Sequence, residues 1–388
     1  MDLDFTEEHG ILRDMVRALC SEHASVEVVR AFENDSRGYP DGLWKQLSEQ
    51  GLVGILIPEA YGGGGQTVLE AAILHEELGR ALAPTPHLES AVLAAGAIAR
   101  AGSAEQKSTW LPRIASGEAI LTPAWLEPRS SFGAKGVQLR AVKDGDGFVL
   151  SGTKMHVTFA HAADRLVVLA RVGDGENDID LFLVDPQAKG VTLSQLHNLG
   201  SQSVYRIDFE QVRVAAKDRI GAAGTSSAEG SGWAIWQDVM LDGCILAAAQ
   251  AAGGARRALE MTVEYAKTRT QFGKPLGAFQ AISHYLADGL TQVEGGSTVV
   301  YEAAWSRSVG NDVSRLAPLA KLFMGHAYRD VTAMCQQVWG GVGFTIEYDI
   351  QLYFRRAKQL QMSWWDEREL SERVAVEVLD HGAGIAGG

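Results

Sequence analysis

The strongest constraint in this chain is that its hydrophobic period changes twice and does not alternate. Up to about residue 118 apolar residues recur at helical spacing: Thr6 is placed to cap, Glu7 and Glu8 suit a first turn, and Ile11, Leu12, Met15, Val16 and Leu19 follow three and four apart. Between about Ile120 and Ile220 come short β-branched runs, Phe148-Val149-Leu150, Leu166 to Leu169, Ile179 to Val184 and Tyr205 to Phe209, punctuated by turn residues such as Lys143-Asp144-Gly145-Asp146-Gly147. After Gly221-Ala222-Ala223-Gly224 the helical spacing returns through the alanine-rich Ile245 to Glu260 and runs to about Leu379. This succession predicts an α+β multidomain fold: a helical domain at 1–118, an antiparallel sheet or barrel at 119–224 and a second helical domain at 225–388. It disfavours an alternating βαβ sheet. Consistently, the glycine run in Pro58-Glu59-Ala60-Tyr61-Gly62-Gly63-Gly64-Gly65 is followed by no strand-to-helix crossover and reads as a helix–helix turn.

The 388 residues, 46% of them hydrophobic, are enough to bury two or three domain cores. A formal charge of −13 argues against a nucleic-acid partner, because phosphate backbones are met by clustered Lys and Arg, so any anionic ligand must be met by local basic groups. Cys20, Cys244 and Cys335 are far apart and odd in number, which suggests neither a disulfide framework nor a metal site and makes a reducing cytoplasm the expected compartment. The start, Met1 to Glu8, is acidic where a signal peptide is basic. No uninterrupted apolar run is long enough to span a bilayer, so no membrane association is expected.

Chemistry concentrates in a few motifs. Tyr265-Ala266-Lys267-Thr268-Arg269-Thr270-Gln271-Phe272-Gly273-Lys274-Pro275-Leu276, followed by Phe279-Gln280, resembles the "YAxxRxQFGxPIxxFQ" signature of acyl-CoA dehydrogenases. Gln337-Val338-Trp339-Gly340-Gly341-Val342-Gly343-Phe344-Thr345 resembles that family's "QxxGGxGFT", and Arg355-Arg356-Ala357-Lys358 stands where "RDAK" is usual. Leu150 to Thr158 is similar to the middle-domain "lxGxKxxIT" segment, and Pro58 to Gly63 to the "PExyGG" loop. The resemblance covers nearly the whole chain. It implies a central antiparallel β-barrel, a C-terminal four-helix bundle, a dimer of dimers, and FAD held at subunit interfaces.

The FAD pyrophosphate is dianionic, and in an acidic protein a guanidinium with fixed donors suits it; the resemblance assigns that part to Arg269, with Gln271, Phe272, Gln337 and the Gly340-Gly341 turn beside it. Glycine lets backbone N–H groups approach a phosphate without a Cβ clash. Taken alone, Arg269 reads as a helix-end ion pair and Gly340-Gly341 as a plain turn. Thr158 is expected by the flavin ring, and Ser131 or Ser130 at the FAD through a "TEPxxGSD"-like loop of which only Glu127-Pro128 is retained. His156 stands where the family commonly has Trp, and reads equally as a surface strand histidine.

Desaturating an acyl-CoA needs a placed carboxylate for the α proton while the β hydrogen leaves as hydride. Counting from "RDAK" puts Trp364 where the family's "YEGT" glutamate belongs, and counting back from Tyr265 puts Gly243 at the alternative glutamate position. Asp242, beside Gly243, is the candidate base, its other reading being a helix-terminal carboxylate; Asp366 and Glu367 are weaker candidates. Cys244 replaces an arginine that many members use for the CoA arm. Such gaps resemble actinobacterial steroid-degrading enzymes, in which two different chains form an α2β2 heterotetramer and one supplies the base. The implied partners are an acyl-CoA substrate, an electron-transferring flavoprotein and a second dehydrogenase-like subunit, or further copies in a homotetramer. A self-sufficient enzyme, a flavin-free structural subunit and a flavin monooxygenase are the other readings.

Overall fold

A computed structural model describes residues 5–128, 131–221 and 232–380. It divides into two units, one of residues 1–29, 68–83 and 244–388, the other of residues 30–67 and 84–243. The expected limit between residues 224 and 225 lies outside the described residues, as does Ser130.

The helical unit contains α1 (Glu7–His23), α4 (Val68–Arg80), most of α7 (Gly232–Thr268), α8 (Gln280–Ser308), α9 (Leu316–Trp339), α10 (Ile350–Met362) and α11 (Glu367–Ala375). Thr6 caps α1, accepting from the His9 N–H while the His9 side chain returns to the Thr6 backbone, so the start read from the sequence is the start observed. Glycine sets how closely helices pack. A Cβ on Gly253 of α7 would lie 1.8 Å from the Glu76 carbonyl oxygen of α4, so no other residue permits this approach. Helices α1, α4 and α8 share a charged cluster around two buried carboxylates, in which Glu76 takes the Tyr301 hydroxyl and the Arg13 guanidinium, and Glu77 takes Arg17 at 2.7 and 2.9 Å.

The other unit is built on a sheet, with α2 (Val26–Ala31), α3 (Asp41–Glu49), α5 (Ala95–Ala101) and α6 (Ala104–Ala115) in the chain before it; α2 starts in the helical unit. Its strands are β1 (Leu121–Ala124), β2 (Arg140–Asp144), β3 (Gly147–Thr158), β4 (Arg165–Arg171), β5 (Ile179–Val184), β6 (Val191–Gln195), β7 (Val204–Ala215) and β8 (Arg219–Ile220). They lie in the order β6-β7-β3-β2-β4-β5-β8, and β1 pairs with β4. The sheet is mixed where an antiparallel one was expected, because β1 and β2 both run parallel to β4. Burial accounts for the β1–β4 pair, since β1 is buried throughout and β4 nearly so, and strands covered on both faces are the ones that tolerate parallel pairing; β2 is mostly exposed and meets β4 at Arg140 opposite Arg171. The core joins Leu150, Val157, Leu166, Val168, Phe182, Ile207 and Phe209. Strand β3 shifts register against β7 twice, between Leu150 and Gly152 and between Lys154 and Val157. Such bulges re-aim side chains.

Candidate active site

The residues expected at the pyrophosphate lie at two helix ends of the helical unit. Helix α7 stops at Thr268, the Arg269 N–H still donates to the Tyr265 carbonyl at 2.8 Å, and the chain then folds into the hairpin of β9 (Thr270–Gln271) and β10 (Lys274–Pro275). Its loop residues, Phe272 and Gly273, have φ +51° and +79°, the pair of left-handed conformations that a two-residue hairpin favours. Phe272 is 92% exposed. Within the chain its ring meets Phe279 edge-on, 6.2 Å between centroids. Arg269 and Gln271 are exposed beside it.

Helix α9 ends with Gln337 exposed on its last turn, and Gly340 follows at φ +67° and ψ −146°, a conformation essentially closed to other residues. A Cβ on Gly340 or Gly341 would meet nothing within 4 Å, so the turn is open. The rings of Tyr265 and Trp339 stack at 4.1 Å with 9° between their planes, which ties the two helix ends together and sets the Arg269 hairpin next to the Gly340-Gly341 turn. An open groove of about 400 Å³ is lined by Arg257, Met261, Glu264, Thr268 and this stack. A guanidinium and two amides stand exposed at these two helix ends, and with the open glycine turn they are donor types that suit a dianionic pyrophosphate. The Gly340 N–H donates to the Gln336 carbonyl as the cap of α9.

The carboxylate positions look different. Asp242 lies on the part of α7 within the sheet unit; its side chain is 8% exposed and its Oδ2 is 2.6 Å from Arg100 Nη2, while Arg100 Nε holds Asp238 at 2.6 Å. Gly243 faces Leu93, whose Cδ2 would be 2.8 Å from an added Cβ, so a glutamate there requires a buried leucine to move. In the helical unit, Trp364 sits half-buried in the α10–α11 turn at φ +67°. Next to it Trp365 is buried under the Arg373 guanidinium, 3.6 Å from the ring centroid, and its carbonyl accepts from Lys321 Nζ at 2.7 Å. The same ammonium bonds the Leu360 carbonyl at 3.2 Å, and burial pulls its pKa down to about 8. Asp366 caps α11 through the Glu369 N–H, and Glu367 is exposed and paired with His326 at 3.0 Å, which holds its carboxyl below the usual range. Cys244 is buried.

Thr158 and Ser131 belong to the sheet unit, Ser131 exposed and Thr158 at the end of β3. The Thr158 hydroxyl donates to Glu89 Oε1 at 2.9 Å. His156 is exposed at φ +55° in the second bulge of β3, which turns it outward and favours the surface reading. Sequence reasoning gave no role to Lys154, yet it is fully buried with Nζ 2.7 Å from Glu127 Oε1 and 3.1 Å from the Trp125 carbonyl; burial pulls its pKa down to about 8. Glu127 also receives the Gln138 and Leu139 N–H groups at 3.0 and 2.9 Å. The retained Glu127-Pro128 is thus the anchor of its loop. A signal was present: Lys154 falls in the motif beginning at Leu150, four residues along the strand and so on the same face as that buried leucine.

Among the described residues no helix is long and apolar enough to cross a membrane. Three family profiles match the chain: acyl-CoA dehydrogenase, N-terminal domain, over residues 6–118, middle domain over 123–212, and C-terminal domain over 230–363. The acyl-CoA dehydrogenase FadE27 of Mycobacterium tuberculosis is 32% identical over 388 residues, 98% of this chain and 99% of that one. A chain of the ChsE4-ChsE5 complex from Mycobacterium tuberculosis superposes with a TM-score of 0.88 at 30% identity, covering 97% of this chain and 99% of that one. A chain of the Tcur3481-Tcur3483 steroid ACAD superposes with a TM-score of 0.85 at 31% identity, again over 97% and 99%.

Proposed function

Because the chain belongs to the acyl-CoA dehydrogenase family, we propose that it is an FAD-binding subunit of a heteromeric enzyme that desaturates an acyl-CoA thioester, its catalytic base supplied by a partner chain. The observation that carries this reading is the state of the two usual base positions. One holds Trp364 at φ +67°, the other Gly243 against Leu93. Neither offers a carboxylate.

Bound FAD supplies the hydride acceptor for the β hydrogen. This chain's part is to bind FAD, in the helical unit through Arg269, Gln271 and Phe272 on the hairpin and Gln337 and the Gly340-Gly341 turn at the end of α9, and in the sheet unit, separately, through Thr158 and Ser131. The two-chain assemblies among the similar structures support a second dehydrogenase-like chain, and one of them, a steroid ACAD, supports a bulky steroid-derived thioester. Electrons then pass to an electron-transferring flavoprotein, in the cytoplasm. The three-part division at 1–118, 119–224 and 225–388 belongs to the same proposal.

A second reading keeps Asp242 as the base of a self-sufficient homotetramer; its burial beside the Gly243 position favours it, and its engagement with the Arg100 guanidinium at 2.6 Å weighs against it. The test is flavin content, mass and acyl-CoA bleaching of the chain expressed alone and then beside candidate partner chains. The proposal expects bleaching only in a mixed assembly. A flavin-loaded homotetramer bleached by acyl-CoA, with the bleaching abolished in Asp242→Asn, contradicts it.

A further inference from the structure

Glu89 stands on a turn in which every residue, Leu88–Ala94, is buried, and which coils as a π-helix before α5. Wider helical turns of this kind are rare and cluster at functional sites. The turn is fixed on several sides. Ser90 Oγ accepts the Leu121 N–H at 3.1 Å, the Ser90 N–H reaches the Pro86 carbonyl at 2.9 Å, and the His87 ring holds the Leu52 carbonyl at 3.0 Å. From this frame the Glu89 carboxylate, on a residue 6% exposed, meets the Thr158 hydroxyl at 2.9 Å.

Thr158 is fixed as firmly. Its carbonyl accepts from the Thr122 hydroxyl at 2.7 Å, and β3 ends immediately after it, Phe159 turning to φ +55° with its N–H on the Ser203 carbonyl at 2.9 Å. A threonine hydroxyl has one proton and two lone pairs. Once that proton is committed to a carboxylate, the oxygen is only an acceptor toward any other partner. A valine at 158 would leave the same shape without this property.

We infer that Glu89 is a positioning residue, which locks the Thr158 hydroxyl as a hydrogen-bond acceptor toward a ring N–H that the flavin gains on reduction. The inference rests on the reading that FAD binds here with Thr158 beside its ring. An acceptor already aimed at that N–H favours reduced over oxidised flavin, and Glu89 acts on this balance through Thr158.

The experiment is a double-mutant cycle on the flavin-loaded protein, in the assembly that binds flavin, read as the reduction potential of the bound FAD. Thr158→Val is expected to lower the potential. Glu89→Gln, whose amide can donate as well as accept, is expected to shift it in the Thr158 protein, and the shift is expected to fall to less than half in the Thr158→Val background. Equal Glu89→Gln shifts in both backgrounds, or no shift in either, overturn the inference. If Glu89→Gln does not fold, Glu89→Asp keeps the charge and withdraws it by one methylene, and must shift the potential with the same dependence on Thr158. If neither Glu89 variant folds while Thr158→Val does, the carboxylate holds the fold and not the hydroxyl, and the inference fails. Wild-type protein that binds no flavin in any assembly overturns the functional reading instead, which separates the two failures.

Discussion

The residues proposed for the cofactor and three of the chain's carboxylates stand in opposite conditions. Arg269, Gln271, Phe272 and Gln337 are exposed, and the Gly340-Gly341 turn opens onto empty space. Glu127, Asp242 and Asp366, by contrast, each have a structural partner: Lys154, Arg100 and the Glu369 N–H. The difference separates what folding selects from what a ligand selects. A left-handed, 92% exposed phenylalanine gains little from the chain's own packing beyond its edge-on contact with Phe279, whereas a buried carboxylate is retained only where something neutralises it. The residues proposed for phosphate are thus open to solvent, while Asp242 and Glu127 are engaged in ion pairs within the fold.

The contrast breaks first where burial is deepest. Lys154→Met leaves the Glu127 carboxylate without its ammonium in a nearly dry site, and is expected to cost about 3–5 kcal/mol, measured by urea unfolding. Arg100→Ala removes the partner of Asp242 and is expected to cost about 1–3 kcal/mol.

The next prediction concerns pH. Burial of His87 lowers its pKa to about 4, against about 6.5 in the unfolded chain, so between these values the unfolded state binds a proton that the folded state does not. Stability is therefore full above about pH 6.5 and falls as the pH drops toward 4, by at most about 1.4 kcal/mol per pH unit from this group. Urea midpoints at pH 5 and pH 7 are expected to differ less in His87→Gln than in the unaltered chain. The smallest effect on folding belongs to the hairpin: Arg269→Ala and Phe272→Ala are expected to stay within about 0.5 kcal/mol of the parent. The comparison sharpens if Arg269→Ala nevertheless weakens FAD binding about tenfold or more, the worth of a charge-assisted hydrogen bond.

Much of this was legible in the sequence, for physical reasons that differ by region. The Thr6 cap, the helical blocks and the strand runs follow from local spacing, which is why they fell where expected. The parallel pairing of β1 and β2 with β4 was not legible, because strand direction depends on which distant segment covers a buried face. At the site, the motif around Arg269 and Gly340 marked the two turns that the Tyr265–Trp339 stack joins. Motif reading missed that the Gly340 N–H closes α9 and that Lys154 and Glu127 form a buried pair, since a motif names residue types and not their partners. Glu89 was invisible for the same reason: nothing in a run of buried alanines and leucines reports that one carboxylate meets Thr158.

The central claim is that this chain holds the flavin but lacks a competent base. Base competence is read most directly by incubating the flavin-loaded chain, without a partner, with a saturated acyl-CoA in deuterium oxide and following deuterium at the α carbon by mass spectrometry. The account predicts no incorporation above the uncatalysed rate for the chain alone, and incorporation once the partner chain is present. Rapid deuterium uptake by the chain alone, lost in Asp242→Asn, would contradict it and place the base on this polypeptide.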